Sequence, residues 1–135
     1  LVELLAVLAI MALAAAAFSF NGARGTETAA FRAFLVNTAA ALGDARATAM
    51  KTGAETPVTI DAANRSISSG SKTIAVPATA VMTATAAATG AQSIAEIRFF
   101  ADGTSTGGLL AFDHQGRTFT ISVNWLTGHV ALKET

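Results

Sequence analysis

From Leu4 to Phe18 the chain carries no charged and no strongly polar side chain. That run constrains the fold more than any other feature, because a helix apolar on every side cannot lie in water as one face of a small domain. With Leu1, Val2 and Phe20 it approaches the roughly 20 residues that cross a bilayer as a helix. Leu1, Val2, Leu4, Leu5, Val7, Leu8, Ile10, Leu13 and Phe18 are the candidate membrane-facing residues. A cleaved secretory signal is the rival reading, but it needs a basic head and a small-residue cleavage site. The head here is acidic, at Glu3.

A carboxylate at the centre of an apolar span costs about 2.5–3.5 kcal/mol on insertion scales and is normally paired or functional. Near the end of the span the cost is smaller. Glu3 therefore has two readings: it sits at the headgroup boundary beside the positive end of the helix dipole, or it pairs with a cation on another chain.

After Phe20 the sequence changes character without meeting a proline, so the helix can continue through residues 21–53 as an amphipathic segment. Phe31, Phe34, Leu35, Thr38, Leu42, Ala45 and Ala49 recur at spacings of three and four and form one apolar stripe, while Arg32, Asp44, Arg46 and Lys51 fall off it. The stripe is expected to lie on a sheet. Gly53 followed by Pro57 marks the end of the helix. Between the two halves, Asn21, Gly22 and Gly25 are poor helix formers, a glycine costing about 1 kcal/mol relative to alanine. Gly22 and Gly25 are the hinge candidates.

Beyond Pro57 the period becomes two, which predicts an antiparallel β domain over residues 54–135. In "RTFTISVNW" Phe119, Ile121, Val123 and Trp125 alternate with polar residues, which predicts a strand with Trp125 on its core face. "EIRFF" offers Ile97 and Phe99, "GGLLAF" Leu110 and Phe112, and "GHVALK" Val130 and Leu132, so four strands are expected to follow one another. "DHQGR" and "LTG" are hairpin turns by composition. Earlier, "PVTID", "NRSIS" and "KTIAV" predict short strands, and Val81–Thr85 one more, running into a variable small-residue loop over 78–93. One long helix packed on an antiparallel sheet is an α+β arrangement.

At this point the N-terminal string "LVELLAVLAIMALAAAA" resembles the start of type IV pilins and type II secretion pseudopilins, whose mature chains typically begin Phe-Thr-Leu-(Val/Ile)-Glu-Leu. Leu1, Val2, Glu3 and Leu4 match the last four, which implies two residues and a leader ahead of Leu1. In that family prepilin peptidase removes the leader, the new amine is methylated, and the glutamate neutralises the terminal amine of a neighbouring subunit during assembly; here that role would fall on Glu3. The C-terminal string "IRFFADGTSTGGLLAFDHQGRTFTISVNWLTGHVAL" is similar to the end of the GspH/FimT group. Phe99, Asp102, Gly103, Thr104, Ser105 and Gly107 fit one motif, and Thr127, Gly128, His129 and Val130 the other. The resemblance implies a pilin-like fold and a minor pseudopilin of type II secretion most like the H-type subunit. Its partners would be other pseudopilins, an inner-membrane assembly platform and secreted cargo. The chain would cross the bacterial inner membrane once and hold its C-terminal domain in the periplasm.

Other chemistries find little support. Lys and Arg number 9, as do Asp and Glu, so no global field gathers nucleic acid or anionic lipid. Cysteine is absent, which removes disulfides and thiolate chemistry. His114 and His129 are the only histidines, expected in solvated turns or strand ends, and Asp113 beside His114 points to the opposite strand face. "DGTSTGG" lacks the lysine and following helix of a phosphate loop, offers one carboxylate to a cation, and reads as a hairpin loop. No cofactor, metal or enzymatic activity is expected. Some minor pilins on the FimT side bind DNA through a Gly-Arg-x-Arg-like motif near the C-terminus. Here "GHVALKET" holds only Lys133, and Gly116 and Arg117 lie in an earlier turn, a departure that counts against a phosphate-binding cluster.

Overall fold

The computed structural model describes residues 1–88 and 93–135, with the backbone alone for 20–24 and 87–88. Part of the expected 78–93 loop therefore lies outside the described residues. The chain forms two compact units, Leu1–Ala33 and Phe34–Thr135.

The first unit is entirely helical, and it is the N-terminal part of one helix, α1, that runs Val2–Thr52. Alanine and leucine dominate it, the residues that lose least on entering a helix. Helical backbone continues through Asn21, Gly22 and Gly25. Ser19, the one hydroxyl near the end of the apolar run, donates to the Ala15 carbonyl oxygen at 3.0 Å, so its polar group is satisfied within the helix.

The second unit begins with the amphipathic end of α1. Every member of the expected stripe is buried: Phe31 at the end of the first unit, and Phe34, Leu35, Thr38, Leu42, Ala45 and Ala49 in the second. Thr38 avoids an unpaired hydroxyl by donating to the Phe34 carbonyl oxygen at 2.9 Å. The helix stops at Gly53, whose φ of 67° places it in the left-handed region and whose N–H still reaches the Ala49 carbonyl at 3.0 Å.

Among the described residues nine strands follow: β1 (Thr56–Asp61), β2 (Ser66–Ser69), β3 (Lys72–Ala75), β4 (Val81–Thr85), β5 (Ala87–Ala88), β6 (Ile94–Phe99), β7 (Gly108–His114), β8 (Arg117–Val123) and β9 (Val130–Glu134). They build two antiparallel sheets, in the orders β3-β2-β1-β6-β5 and β4-β7-β8-β9. The α+β architecture stands, but the β part is two sheets where the sequence suggested one. The four strands read as consecutive neighbours are also divided. β6 pairs with β1, matching Val58 to Ile97, whereas β7 pairs with β4 and β8, matching Phe112 to Met82 and Phe119.

The two-residue turn between β7 and β8 holds Gln115 and Gly116 at φ of 51° and 77°, the paired positive values that match the twist of a tight hairpin. Side chains from both sheets and the helix close the core: Val58, Ile60, Ile67, Ile97 and Phe99 from one sheet, Leu110, Phe112, Phe119, Ile121 and Val123 from the other. Phe34 meets Phe112 edge to face with ring centroids 5.2 Å apart. The sheets approach tightly at Gly108 of β7, where a Cβ would lie 2.8 Å from Ile97 Cδ1 of β6.

Two expected core positions are not in the core. Trp125 is 65% exposed, because β8 ends at Val123 and the chain turns at Asn124, whose Oδ1 accepts the N–H groups of Leu126 (2.9 Å) and Thr127 (3.1 Å). Leu132 does point to the core face, opposite Ile121, yet it is 44% exposed, because β9 is an edge strand.

Leu42 is fully buried on the helix stripe and the neighbouring Ala40 is exposed. Leu42→Ala is expected to cost about 2–5 kcal/mol through lost transfer energy and a residual cavity, and Ala40→Ser less than about 0.5 kcal/mol. Urea unfolding of the two variants followed by circular dichroism measures the difference.

Candidate assembly site

The first unit presents an apolar helix, Val2–Ser19, long enough to cross a membrane, and none of it is buried within the chain. Leu1, Val2, Leu4, Leu5, Val7, Leu8, Ile10, Met11, Leu13 and Phe18 are exposed. In water such a surface costs roughly 25 cal/mol for each Å² left uncovered, a cost that lipid or other helices would remove. Glu3 is exposed in the first turn of this helix, at the end where unpaired backbone N–H groups leave partial positive charge. Among the described residues no hydrogen bond or ion pair joins it to another side chain. Gly25 has open space around its Cα, so packing does not explain its lack of a side chain.

The two C-terminal motifs, far apart in sequence, meet in the second unit. Phe100 and Gly103 close a tight turn after β6, with Gly103 N–H donating to the Phe100 carbonyl at 3.0 Å. Asp102 Oδ1 accepts the Thr104 N–H at 3.0 Å and the Thr104 hydroxyl at 2.6 Å. The Thr104 hydroxyl and then its N–H hold the Asp102 carboxyl below its ordinary value. The turn is locally a hairpin, since Phe99 bridges Ser105 and Thr106 N–H reaches the Arg98 carbonyl at 3.0 Å. The strand that enters it and the strand that leaves it nevertheless belong to different sheets, so the expected hairpin loop is the crossover between them.

The β8–β9 turn docks on this crossover. Ser105 N–H donates to the Trp125 carbonyl at 2.8 Å, and its hydroxyl to the Asn124 carbonyl at 3.1 Å. Gly128, at φ 64°, lies so close to the Gly103 carbonyl oxygen that a Cβ would overlap it and would stand 2.7 Å from Arg46 Nε. Arg46 completes the clasp from α1, donating from Nε to the Gly103 carbonyl oxygen at 3.1 Å. The sequence placed Arg46 merely off the apolar stripe, and nothing in its spacing announced a bond 57 residues away.

A second arginine was equally silent. Arg65, at φ 51° after the β1–β2 turn, donates from Nη2 to the carbonyl oxygens of Pro77 (2.6 Å) and Ala80 (2.5 Å), fixing the passage from the first sheet to β4. Further charges are paired on the surface: Arg98 with Glu55 at 3.1 Å and with Glu96, and Arg117 with Glu134 at 3.1 Å. The bond from Glu96 and its charge, with that of Glu55, hold the Arg98 guanidinium above its ordinary value.

His114 corrects the expectation of a solvated turn. It is 4% exposed, with Nδ1 3.4 Å from the Thr79 carbonyl oxygen, because the last residue of β7 points inward beneath the passage to β4. Asp113 faces solvent on the opposite side, as strand alternation requires, and His129 is exposed. Among the described residues no three His, Cys, Asp or Glu side chains converge to hold a metal ion.

This arrangement, a long N-terminal helix followed by a two-sheet β domain, is a pilin fold. No family model matches the sequence, and no curated protein does. Solved structures do. The minor pseudopilin EpsH from the type 2 secretion system of Vibrio cholerae superposes with a TM-score of 0.63 at 11% identity, covering 77% of this chain and 96% of that one. The type IV minor pilin FimU of Pseudomonas aeruginosa superposes at 0.58 and 17% identity, covering 80% and 91%, and in a second crystal form at 0.56 and 18%, covering 76% and 91%.

The clasp yields a paired test. Gly128 and Gly116 both have positive φ, but only Gly128 meets backbone where a Cβ would stand; around Gly116 there is open space. Gly116→Ala is expected to cost about 1–2 kcal/mol from conformation alone. Gly128→Ala should cost at least about 1 kcal/mol more, from overpacking against Gly103, as read from the midpoint of urea unfolding.

Proposed function

We propose that this chain is a minor pseudopilin of the GspH/FimT group, a non-enzymatic subunit held in the bacterial inner membrane by its first helix and assembled into a periplasmic filament of type II secretion. The observation that carries the reading is one continuous helix whose first 18-residue window, Val2–Ser19, is apolar and uncovered, leading into a stripe that is wholly buried. The same surface that suits lipid suits the helical core of a filament, so a subunit can leave one for the other without refolding.

In this reading residues 1–20 serve as anchor and assembly helix, residues 21–53 carry the domain, and residues 54–135 face the periplasm. Glu3 sets axial register by pairing with a terminal amine of a neighbour, because a carboxylate in an apolar helix core is stable only when paired. Gly22 and Gly25 let the helix bend or loosen as subunits pack. The likeness to EpsH supports the secretion assignment by fold, and other pilin-like subunits, the assembly platform and secreted cargo follow as partners.

The likeness to FimU, at somewhat higher identity, favours a second reading, a type IV minor pilin. A DNA-binding role within that reading has little electrostatic support. Arg46 and Arg65 are spent on backbone carbonyls, and Arg98 and Arg117 on carboxylates, whereas phosphate binding needs several free cations that converge.

Secretion in cells separates these readings. Deleting the gene should abolish export of a type II substrate and leave surface pili intact, and Glu3→Ala should reproduce the loss while the protein still reaches the membrane. Loss of pili with normal export would transfer the chain to the type IV class, and full function of Glu3→Ala would leave Glu3 a headgroup residue.

A further inference from the structure

From the free edge of β9 we infer that a second copy of this chain pairs there, strand to strand, extending the four-stranded sheet across two molecules. The inference stands on the β domain and does not depend on the pseudopilin reading.

The hydrogen-bond pattern of β9 fixes which backbone groups are available. Asn124 N–H donates to the His129 carbonyl at 2.9 Å and Thr135 N–H to the Thr118 carbonyl at 2.9 Å. In an antiparallel ladder bonded and non-bonded pairs alternate, so the bonded pairs between these two are Ser122 with Ala131 and Thr120 with Lys133. Val130, Leu132 and Glu134 therefore turn their N–H and C=O groups away from β8. Among the described strands β9 has no neighbour on that side.

A second observation marks this edge out from β4, at the other side of the same sheet. On β4 the core-facing Met82 is partly covered. On β9 the core-facing Leu132 stays 44% exposed, so the apolar layer stops one strand short. A further strand would supply the missing backbone partners and the missing cover together.

The sequence of β9 is complementary to itself. In an antiparallel pair centred on Leu132, the available groups of Leu132 meet those of Leu132 in the second copy, and Val130 meets Glu134. On the core face the two leucines cover each other, and Glu134 brings its charge already paired with Arg117 at 3.1 Å. On the outer face Lys133 lies over Ala131, where there is room for its stem. Centring the pair on Lys133 instead would oppose two like charges, which is destabilising. The formal net charge of zero lets two copies approach without overall repulsion.

The chain contains no cysteine, so single thiols report without background. Full-length Leu132→Cys and Val81→Cys in detergent are treated with a short bifunctional thiol reagent; Val81, 63% exposed on β4, serves as the control for random encounter. Leu132→Cys is expected to give a covalent dimer at least tenfold faster than Val81→Cys. No dimer from Leu132→Cys, or equal rates from both, overturns the inference. Leu132→Pro provides the backbone test, since it deletes an N–H that β8 does not use and proline is tolerated at such an edge. It should keep the circular dichroism spectrum and lose protection of the Val130 and Glu134 amides from hydrogen exchange at high protein concentration. Amides unprotected in the unmodified chain, or equally protected in the variant, would also overturn it.

Discussion

The two sheets share no strand, and the buried stripe of α1 borders both. Phe34 stacks on Phe112 of the second sheet, while Ala41 and Ala45 line a groove with Thr56 and Ser69 of the first. Apolar burial of this kind has no direction of its own. The orientation comes from contacts that tolerate little error: Gly108 lets β7 approach Ile97, Gly128 lets the last turn touch Gly103, and Arg46 ties that junction back to the helix. The stripe brings the layers together and the glycines and arginines decide how they sit.

The helix therefore presents two kinds of surface in one element. Beyond its first turn, the early part satisfies its backbone groups within the helix and buries nothing within the chain, the surface that a bilayer span presents. Its later part buries one stripe and leaves Arg32, Asp44 and Lys51 in water. A change of surface along a single helix needs no break in backbone hydrogen bonding, and helical backbone runs through Gly22 and Gly25.

Much of this was legible in the order of the residues. The seven stripe positions are all buried, α1 ends at Thr52 just before Gly53, the β7–β8 turn falls on Gln115 and Gly116, and most strands lie where alternation placed them. The errors share one cause. Trp125 continued the alternation of β8 in sequence, but the side chain of Asn124 captured two backbone N–H groups and turned the chain first. His114 was expected in solvent because it adjoins a turn, and the passage to β4 covers it. β6 and β7 were expected to be neighbours because little chain separates them, yet each has its partner elsewhere. Of the candidate assembly site, the apolar helix and the place of Glu3 were visible at once, whereas the clasp around Gly103 was visible only as two unexplained motifs.

By itself the sequence determined which faces are apolar and where the chain can turn, because side-chain period and the freedom of glycine are properties of a few adjacent residues. It also set the first helix apart as apolar on every side, a candidate membrane span. Only the tertiary structure decided that there are two sheets, that Arg46 and Arg65 are spent on distant carbonyls, and that the core ends at β9 with Leu132 half uncovered. Those outcomes depend on which strands pair across long separations, and an alternating pattern states which side of a strand is buried without naming the strand beside it.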